Sequence, residues 1–193
     1  MLKRIGVFCG SSDGARPSYR AAAAELGRLL AVSNIGIVYG GGNVGLMGAL
    51  ADAALAAKGE VTGVIPGHLV SKELAHRGVD LRVVHSMHER KAFMADLSDA
   101  FIALPGGYGT LEEFCEMLTW SQLGLHTKPC GLLNVDGYYQ GLLGLIDHAV
   151  AEGFVRPESR DLVLVDDAAE RLLHRLSLWR APSLETWISR DET

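Results

Sequence analysis

The residues best suited to chemistry lie in one stretch, 100–120, which reads AFIALPGGYGTLEEFCEMLTW. Its apolar beginning has the length of a buried strand, and Pro105 ends it because proline cannot donate to a sheet. The glycines of 106–109 permit positive φ angles and a close approach of the backbone to a ligand. The unpaired backbone N–H groups at the start of the following helix stabilise anions. The stretch therefore predicts a phosphate site.

Three side chains give this predicted site further functional groups. Thr110 adds a hydroxyl donor, and Glu112 and Glu113 lie in the first turn of the helix, where they would face a ligand on the loop. A structural alternative has equal weight, because Thr110 and Glu113 also match the S/T-x-x-E capping box, in which the glutamate only closes the helix start. From this pattern alone, both interpretations stay open.

The segment 105–113, PGGYGTLEE, resembles the PGGxGTxxE signature of the Lonely Guy (LOG) family of cytokinin-activating phosphoribohydrolases. An Arg-Lys pair after a methionine, in Met87-His88-Glu89-Arg90-Lys91, is similar to a second family element. VFCGSS at 7–12 and YGGG at 39–42 also resemble that family. Several motifs in the same order are more specific than one glycine loop.

The resemblance implies a Rossmann-like α/β fold and hydrolysis of the N-glycosidic bond of N6-substituted adenosine 5′-monophosphates, with AMP as a poorer substrate. It also implies paired subunits with sites near the interface. Arg90 takes a catalytic role by resemblance, and we assign Glu113 the carboxylate that stabilises the ribose ring and activates water. The resemblance implies nucleotide contacts from Glu73, Lys91, Gly106, Gly107, Tyr108, Gly109, Thr110, Leu111, Glu112 and Thr119. Ser11, Gly41 and Gly42, in the other two glycine loops, are also predicted to contact the substrate.

Seven short apolar runs alternate with helical patterns, which predicts a mainly parallel, doubly wound sheet covered on both faces. Ligands in such sheets bind beyond the carboxyl ends of the strands, where the glycine clusters of this chain fall. We expect one Rossmann-like domain over 1–180 and a tail over 181–193. The predicted strands are Ile5–Cys9, Ile35–Tyr39, Val61–Ile65, Leu81–Val84, Ala100–Leu104, Cys130–Asn134 and Leu162–Val165.

Composition narrows the partners of the chain. The 193 residues carry a net charge of −5 without a basic stripe, so we expect a single nucleotide as ligand and no nucleic-acid polymer. Three widely spaced cysteines favour a reducing cytoplasm, and no apolar run approaches the ~20 residues that span a bilayer. We therefore expect a cytoplasmic protein, a homodimer by resemblance, without membrane partners.

Other interpretations of the motifs are weaker. GGGNVG at 40–45 satisfies GxGxxG, but the next strand does not end in the acidic residue that holds the ribose of NAD. His85 and His88 do not have zinc-protease spacing, so no metal is predicted. The family has also carried the label lysine decarboxylase, but pyridoxal phosphate needs a Schiff-base lysine, and Lys91 is the only one at this site. We predict no cofactor and keep a non-catalytic nucleotide carrier as the alternative.

Overall fold

A computed structural model describes residues 2–70 and 75–182. One sheet of seven strands forms the centre of this part of the chain. Each strand lies within one residue of its predicted position, so the alternation of apolar runs and helical patterns was a sufficient signal. The strands are β1 Arg4–Phe8, β2 Gly36–Tyr39, β3 Val61–Pro66, β4 Asp80–Val84, β5 Ala100–Ala103, β6 Cys130–Leu133 and β7 Val163–Asp166.

The strand order is β4-β3-β2-β1-β5-β6-β7, and all six neighbouring pairs are parallel. The chain builds outward from β1 in one direction and then restarts at β5 on the other side. The order therefore reverses between β1 and β5, which pair with Phe8 opposite Ala103. In open α/β sheets, this reversal leaves a crevice at the carboxyl ends of the strands. The predicted doubly wound α/β fold is confirmed.

Helices cover both faces of the sheet. One face packs on α1, α2 and α7 through buried residues such as Leu26, Leu50 and Leu172. The other face packs on α3, α4 and α5, where Met94 and Phe114 are almost fully buried. The helices are α1 Pro17–Val32, α2 Gly45–Ala56, α3 Met87–Leu97, α4 Tyr108–Gln122, α5 Gln140–Ala151, α6 Pro157–Arg160 and α7 Ala169–Leu178, with 3-10 turns at Gly67–Leu69 and Val135–Gly137.

The start of α7 has no side-chain cap, because the residue before the helix is Ala168. Asp166 lies two residues earlier, and its Oδ1 accepts a hydrogen bond from the Ala168 amide at 3.1 Å. The side chain of Asp167 points outward to Arg171. Asp166 also accepts a bond from Arg171 Nε at 2.9 Å, so these bonds lower the pKa of Asp166 although partial burial alone would raise it.

Candidate functional site

A cleft of about 250 Å³ opens where the strand order reverses. Its floor is the end of β1, one wall is the start of α4, and the other wall is Gly40 together with side chains of α2 and α3. The position agrees with the expectation that a ligand site lies beyond the carboxyl ends of β1 and β5. The lining residues are Val7, Phe8, Cys9, Gly10, Ser11, Gly40, Met47, Arg90, Gly107, Tyr108, Gly109, Thr110 and Glu113.

The glycines of the turn between β5 and α4 are needed for different structural reasons. None of Gly106, Gly107 and Gly109 has a positive φ angle, so that part of the sequence argument is wrong. A Cβ atom on Gly106 would lie 2.1 Å from Thr110 Oγ1 and 2.9 Å from the backbone nitrogen of Gly10, so Gly106 is required for packing. A Cβ atom on Gly107 or Gly109 would meet open space. At these two positions, the absence of a side chain leaves the backbone open to the cleft.

The predicted capping box is not formed. Helix α4 begins at Tyr108, so Thr110 is its third residue and cannot be the residue before the helix. Thr110 is buried against the glycine turn, with its Oγ1 beneath Gly106. Glu113 lies one turn further on and lines the cleft. The capping interpretation is therefore wrong, and the placement of Glu113 in the cleft supports the alternative.

Arg90 is buried in the wall of the cleft and is 6% exposed. Its Nε donates to the carbonyl of Val64 at 3.0 Å and its Nη2 donates to the carbonyl of Gly40 at 3.1 Å. The guanidinium thus joins β3 to the end of β2. Its remaining nitrogen, Nη1, lies 3.8 Å from the sulfur of Met87 and 3.6 Å from Glu113 Oε1.

Glu113 places a carboxylate against the end of β1. Its side chain is only 12% exposed, and the nearby Arg90 guanidinium compensates part of the cost of removing this charge from water. The thiol of Cys9 lies in the same wall, where burial and the charge of Glu113 both raise its pKa. Cys9 therefore stays a neutral thiol, and Glu113 is the acidic side chain among the described residues that line the cleft.

The structure brings some predicted site residues together and separates others. Arg90, Gly107, Tyr108, Gly109, Thr110, Glu113 and Ser11 line the cleft, with Gly106 just beneath it. Leu111 packs into the core, and Gly41 and Gly42 lie outside the lining, toward β3 and Ala75. Glu73 lies outside the described residues. The roles of all these residues in binding or catalysis stay predictions.

A second group of predicted residues lies on another face of α4. Glu112 and Thr119 are seven residues apart and share a face with Glu116, about 100° around the helix from Glu113. Lys91, 6% exposed, donates through Nζ to Glu112 and, at 3.1 Å, to Glu116. Burial alone would lower the pKa of Lys91, but the bonds and charges of the two glutamates outweigh it and raise the pKa. These residues are not part of the cleft in this chain.

Sequence reasoning did not assign two residues of the cleft lining, Cys9 and Met47, to the site. Cys9 directly follows β1, and this position was the available signal for it. Met47 lies in α2, and no pattern in the sequence indicated it. Gly10 and Gly40, which also line the cleft, belong to the glycine clusters that were expected at this edge of the sheet. A Cβ on Gly40 would lie 2.2 Å from Arg90 Nη2, so Gly40 is the residue that admits the buried guanidinium.

Other features of the described residues carry less chemistry. A larger depression of about 870 Å³ lies around Asp52 and His76, and His76 Nε2 lies 3.0 Å from Asp52 Oδ1. In the described ranges, no group of three or more His, Cys, Asp or Glu side chains is arranged to hold a metal ion. None of the helices in 2–70 and 75–182 is long and apolar enough to cross a bilayer.

The fold and the cleft define a class of protein. A parallel α/β sheet with a glycine turn and a helix N-terminus at its reversal point is typical of proteins that bind phosphorylated nucleotides. Within this class, the chain belongs to the family described as "possible lysine decarboxylase", whose family model matches residues 47–176. The resemblance to the LOG family is confirmed by relatives that carry its name.

Two relatives illustrate this similarity. A probable cytokinin riboside 5′-monophosphate phosphoribohydrolase of Oryza sativa subsp. japonica is 55% identical over 91% of this chain and 78% of its own length. A cytokinin riboside 5′-monophosphate phosphoribohydrolase of Arabidopsis thaliana is 53% identical over 91% of this chain and 82% of its own length. Among solved structures, a molybdenum cofactor binding protein from Rippkaea orientalis matches 92% of this chain and 96% of its own, with a TM-score of 0.68 and 27% identity.

Proposed function

We propose that this protein hydrolyses the N-glycosidic bond of N6-substituted adenosine 5′-monophosphates, and of AMP less well, to the free base and ribose 5-phosphate. The observation that carries this proposal is the position of the Glu113 carboxylate in the same cleft as the open amides of Gly107 and Gly109. One part of the cleft suits a phosphate and the other suits a developing positive charge. A ribose 5-phosphate group has both features, because it carries the phosphate and its ring develops the positive charge.

The reaction needs a negative group beside the sugar. As the bond from C1′ to the base nitrogen breaks, its electron pair leaves with the base and positive charge develops on the ribose ring. Glu113 stabilises this charge and accepts a proton from the water that attacks C1′. The departing base takes up one proton, so that one water and one nucleotide give the free base and ribose 5-phosphate. Arg90, held by two backbone carbonyls, keeps the Glu113 carboxylate in position. The two residues therefore have different roles: Glu113 acts on the sugar and the water, and Arg90 orients the Glu113 carboxylate.

The cleft has room for only part of a nucleotide. Ligand pockets usually have volumes of about 300 Å³ or more, and this cleft has about 250 Å³. We expect the ribose 5-phosphate to lie inside and the base to extend toward the opening. Tyr108, whose side chain is 94% exposed, lies at that opening and offers an aromatic surface for a base and its N6 substituent.

The names of the relatives support a hydrolase over the two alternatives. Lysine decarboxylation through pyridoxal phosphate does not fit the cleft, because no lysine is among the described residues that line it and the amine of Lys91 is paired with two carboxylates. The Rippkaea orientalis neighbour is named a binding protein, which favours the carrier alternative. The relatives named phosphoribohydrolases are 55% and 53% identical to this chain and this neighbour is 27% identical, so the hydrolase is the better supported of the two.

We also propose a cytoplasmic homodimer. Lys91, Glu112 and Thr119 form a polar face away from the cleft, so they would reach a nucleotide only in the cleft of a second copy. Cys9, Cys115 and Cys130 are free thiols, as a reducing compartment would keep them. Light scattering of the purified protein at micromolar concentration tests the pairing, and a monomeric mass would contradict it.

A product assay tests the function. The purified protein is incubated with AMP, N6-isopentenyladenosine 5′-monophosphate and the matching nucleosides without phosphate, and the products are separated by chromatography. We expect free base and ribose 5-phosphate in equal amounts from the monophosphates, faster from the N6-substituted one, and none from the nucleosides. Binding of the monophosphates without release of base would favour the carrier.

A further inference from the structure

Two adjacent tyrosines hold the two ends of the glycine turn. The hydroxyl of Tyr139 donates to the carbonyl of Leu104 at 2.6 Å, and the hydroxyl of Tyr138 donates to the carbonyl of Gly106 at 2.5 Å. Both tyrosines follow β6, on a neighbouring part of the sheet. The segment after β6 therefore fixes the backbone that leads into α4.

The bond from Tyr138 has a consequence for the next amide. A trans peptide unit is planar, with its C=O and N–H pointing in opposite directions, and the described chain contains no cis peptide bond. Because the Gly106 carbonyl points to Tyr138, the Gly107 N–H of the same peptide unit points away from Tyr138. Gly107 lines the cleft. We propose that Tyr138 is a positioning residue that directs the Gly107 amide toward the phosphate of the substrate.

The turn is held at a third point between the two tyrosine bonds. The carbonyl of Pro105 accepts a hydrogen bond from the Gly10 amide at 3.0 Å. Three consecutive carbonyls of the turn are therefore fixed by donors from other elements. An isolated glycine turn has many accessible conformations, so these bonds supply the rigidity that an anion site made of backbone amides requires.

Tyr138 is itself held in place without being part of the core. Its ring makes edge contacts with Tyr139 at 5.0 Å and with Tyr19 at 5.7 Å between ring centroids. The preceding residues, Asp136 and Gly137, both have positive φ angles, which turn the chain so that the ring lies over the glycine turn. Tyr138 is 41% exposed and Tyr139 is 1% exposed. Removal of the Tyr138 hydroxyl therefore changes the bond to Gly106 while the core stays intact.

This inference rests on the proposed function, and its test separates the two. Tyr138→Phe keeps the ring contacts, and Tyr19→Phe is the matched control because it removes a hydroxyl from the same ring group without touching the turn. Both are made in a Glu113→Gln background, which prevents hydrolysis. Affinities for AMP and adenosine are measured by calorimetry, and melting temperatures are recorded for each variant.

We expect Tyr138→Phe to weaken AMP binding about tenfold and to leave adenosine binding unchanged, with Tyr19→Phe like the parent for both ligands. Equal weakening for AMP and adenosine, or no weakening for AMP, would overturn the positioning role of Tyr138. A parent protein that binds adenosine as tightly as AMP would have no phosphate site. That result would contradict the proposed function itself, and this inference with it.

Discussion

Arg90 Nη1 lies 3.6 Å from Glu113 Oε1, and both side chains are about nine-tenths buried. At this distance the pair interacts by charge rather than through a tight hydrogen bond. Arg90 also donates through Nε to the carbonyl of Val64 and through Nη2 to the carbonyl of Gly40. The guanidinium is therefore anchored to the sheet beside the Glu113 carboxylate.

Arg90→Lys tests this anchoring. A lysine ammonium is a point charge without the planar fork, so it does not satisfy both carbonyls and face Glu113 at once. We expect kcat to fall about 100-fold, as for a small misplacement of a catalytic group. A buried carbonyl without a partner costs about 1–3 kcal/mol of folding stability.

The matched control for Arg90→Lys is Arg82→Lys, on the exposed pair with Asp80 in β4. We expect this variant to keep both activity and stability. Steady-state kinetics and urea unfolding measure the two effects. Wild-type kcat in Arg90→Lys would show that the guanidinium fork is not needed.

Gly106→Ala and Gly107→Ala form a pair with opposite expectations. The added methyl at position 106 meets Thr110 Oγ1 at 2.1 Å, so we expect a loss of about 1–3 kcal/mol of folding stability from overpacking. The methyl at position 107 meets open space at a φ of −92°, so stability should stay within about 1 kcal/mol. It would occupy the space of the phosphate, and we expect KM for AMP to rise at least about tenfold.

Melting curves and KM values for both variants check this expectation. A stable Gly106→Ala protein would contradict the packing role of Gly106. An unchanged KM for Gly107→Ala would mean that the phosphate lies elsewhere.

Much of the fold followed from the sequence because hydrophobic patterns report burial directly. Strands such as β5 are short apolar runs between helical patterns, and their order along the chain requires parallel pairing. The signature around Glu113 likewise indicated the site. The capping box at Thr110 was wrong because the helix start depends on where the glycine turn ends, and a pattern match does not contain that information.

Two parts of the site depend on contacts between distant segments, which a single sequence does not show. The bond from Tyr138 to Gly106 joins residues 32 positions apart, and the bond from Arg90 to Gly40 joins residues 50 apart. The separation of Lys91 and Glu112 from the cleft follows from a rotation of about 100° between neighbouring helical residues. Resemblance to a family assigns Lys91 and Glu112 to a nucleotide site, but it does not say whether that site belongs to the same subunit or to a second one.

Asp166 predicts a pH dependence of stability. Its pKa is lowered in the folded protein by the Ala168 amide and Arg171, although partial burial opposes this. The bonds of the ionised form therefore stabilise the fold above the unfolded pKa of about 3.9, and this contribution is lost as the pH falls through the lower folded pKa. We expect Asp166→Asn to lose up to about 1 kcal/mol at pH 7, because the neutral amide gives up the ion pair with the largely exposed Arg171, and we expect the difference to shrink in acid.

Asp167→Asn is the control for this pH dependence because its carboxylate is 71% exposed. We expect it to stay within about 0.5 kcal/mol of the parent at all pH values. Urea unfolding at pH 7 and pH 3 gives both differences. If Asp166→Asn lowers the free energy of unfolding equally at the two pH values, the stabilisation does not come from the ionised form of Asp166.

The release of ribose 5-phosphate by Glu113→Gln tests the central claim most directly. The substitution removes the charge and keeps the shape of the side chain, so the fold should persist, with the exposed Glu152→Gln as control. We predict a loss of at least about 1,000-fold in kcat on N6-isopentenyladenosine 5′-monophosphate, with the control at the parental rate. Release of base by Glu113→Gln at the parental rate would contradict the account.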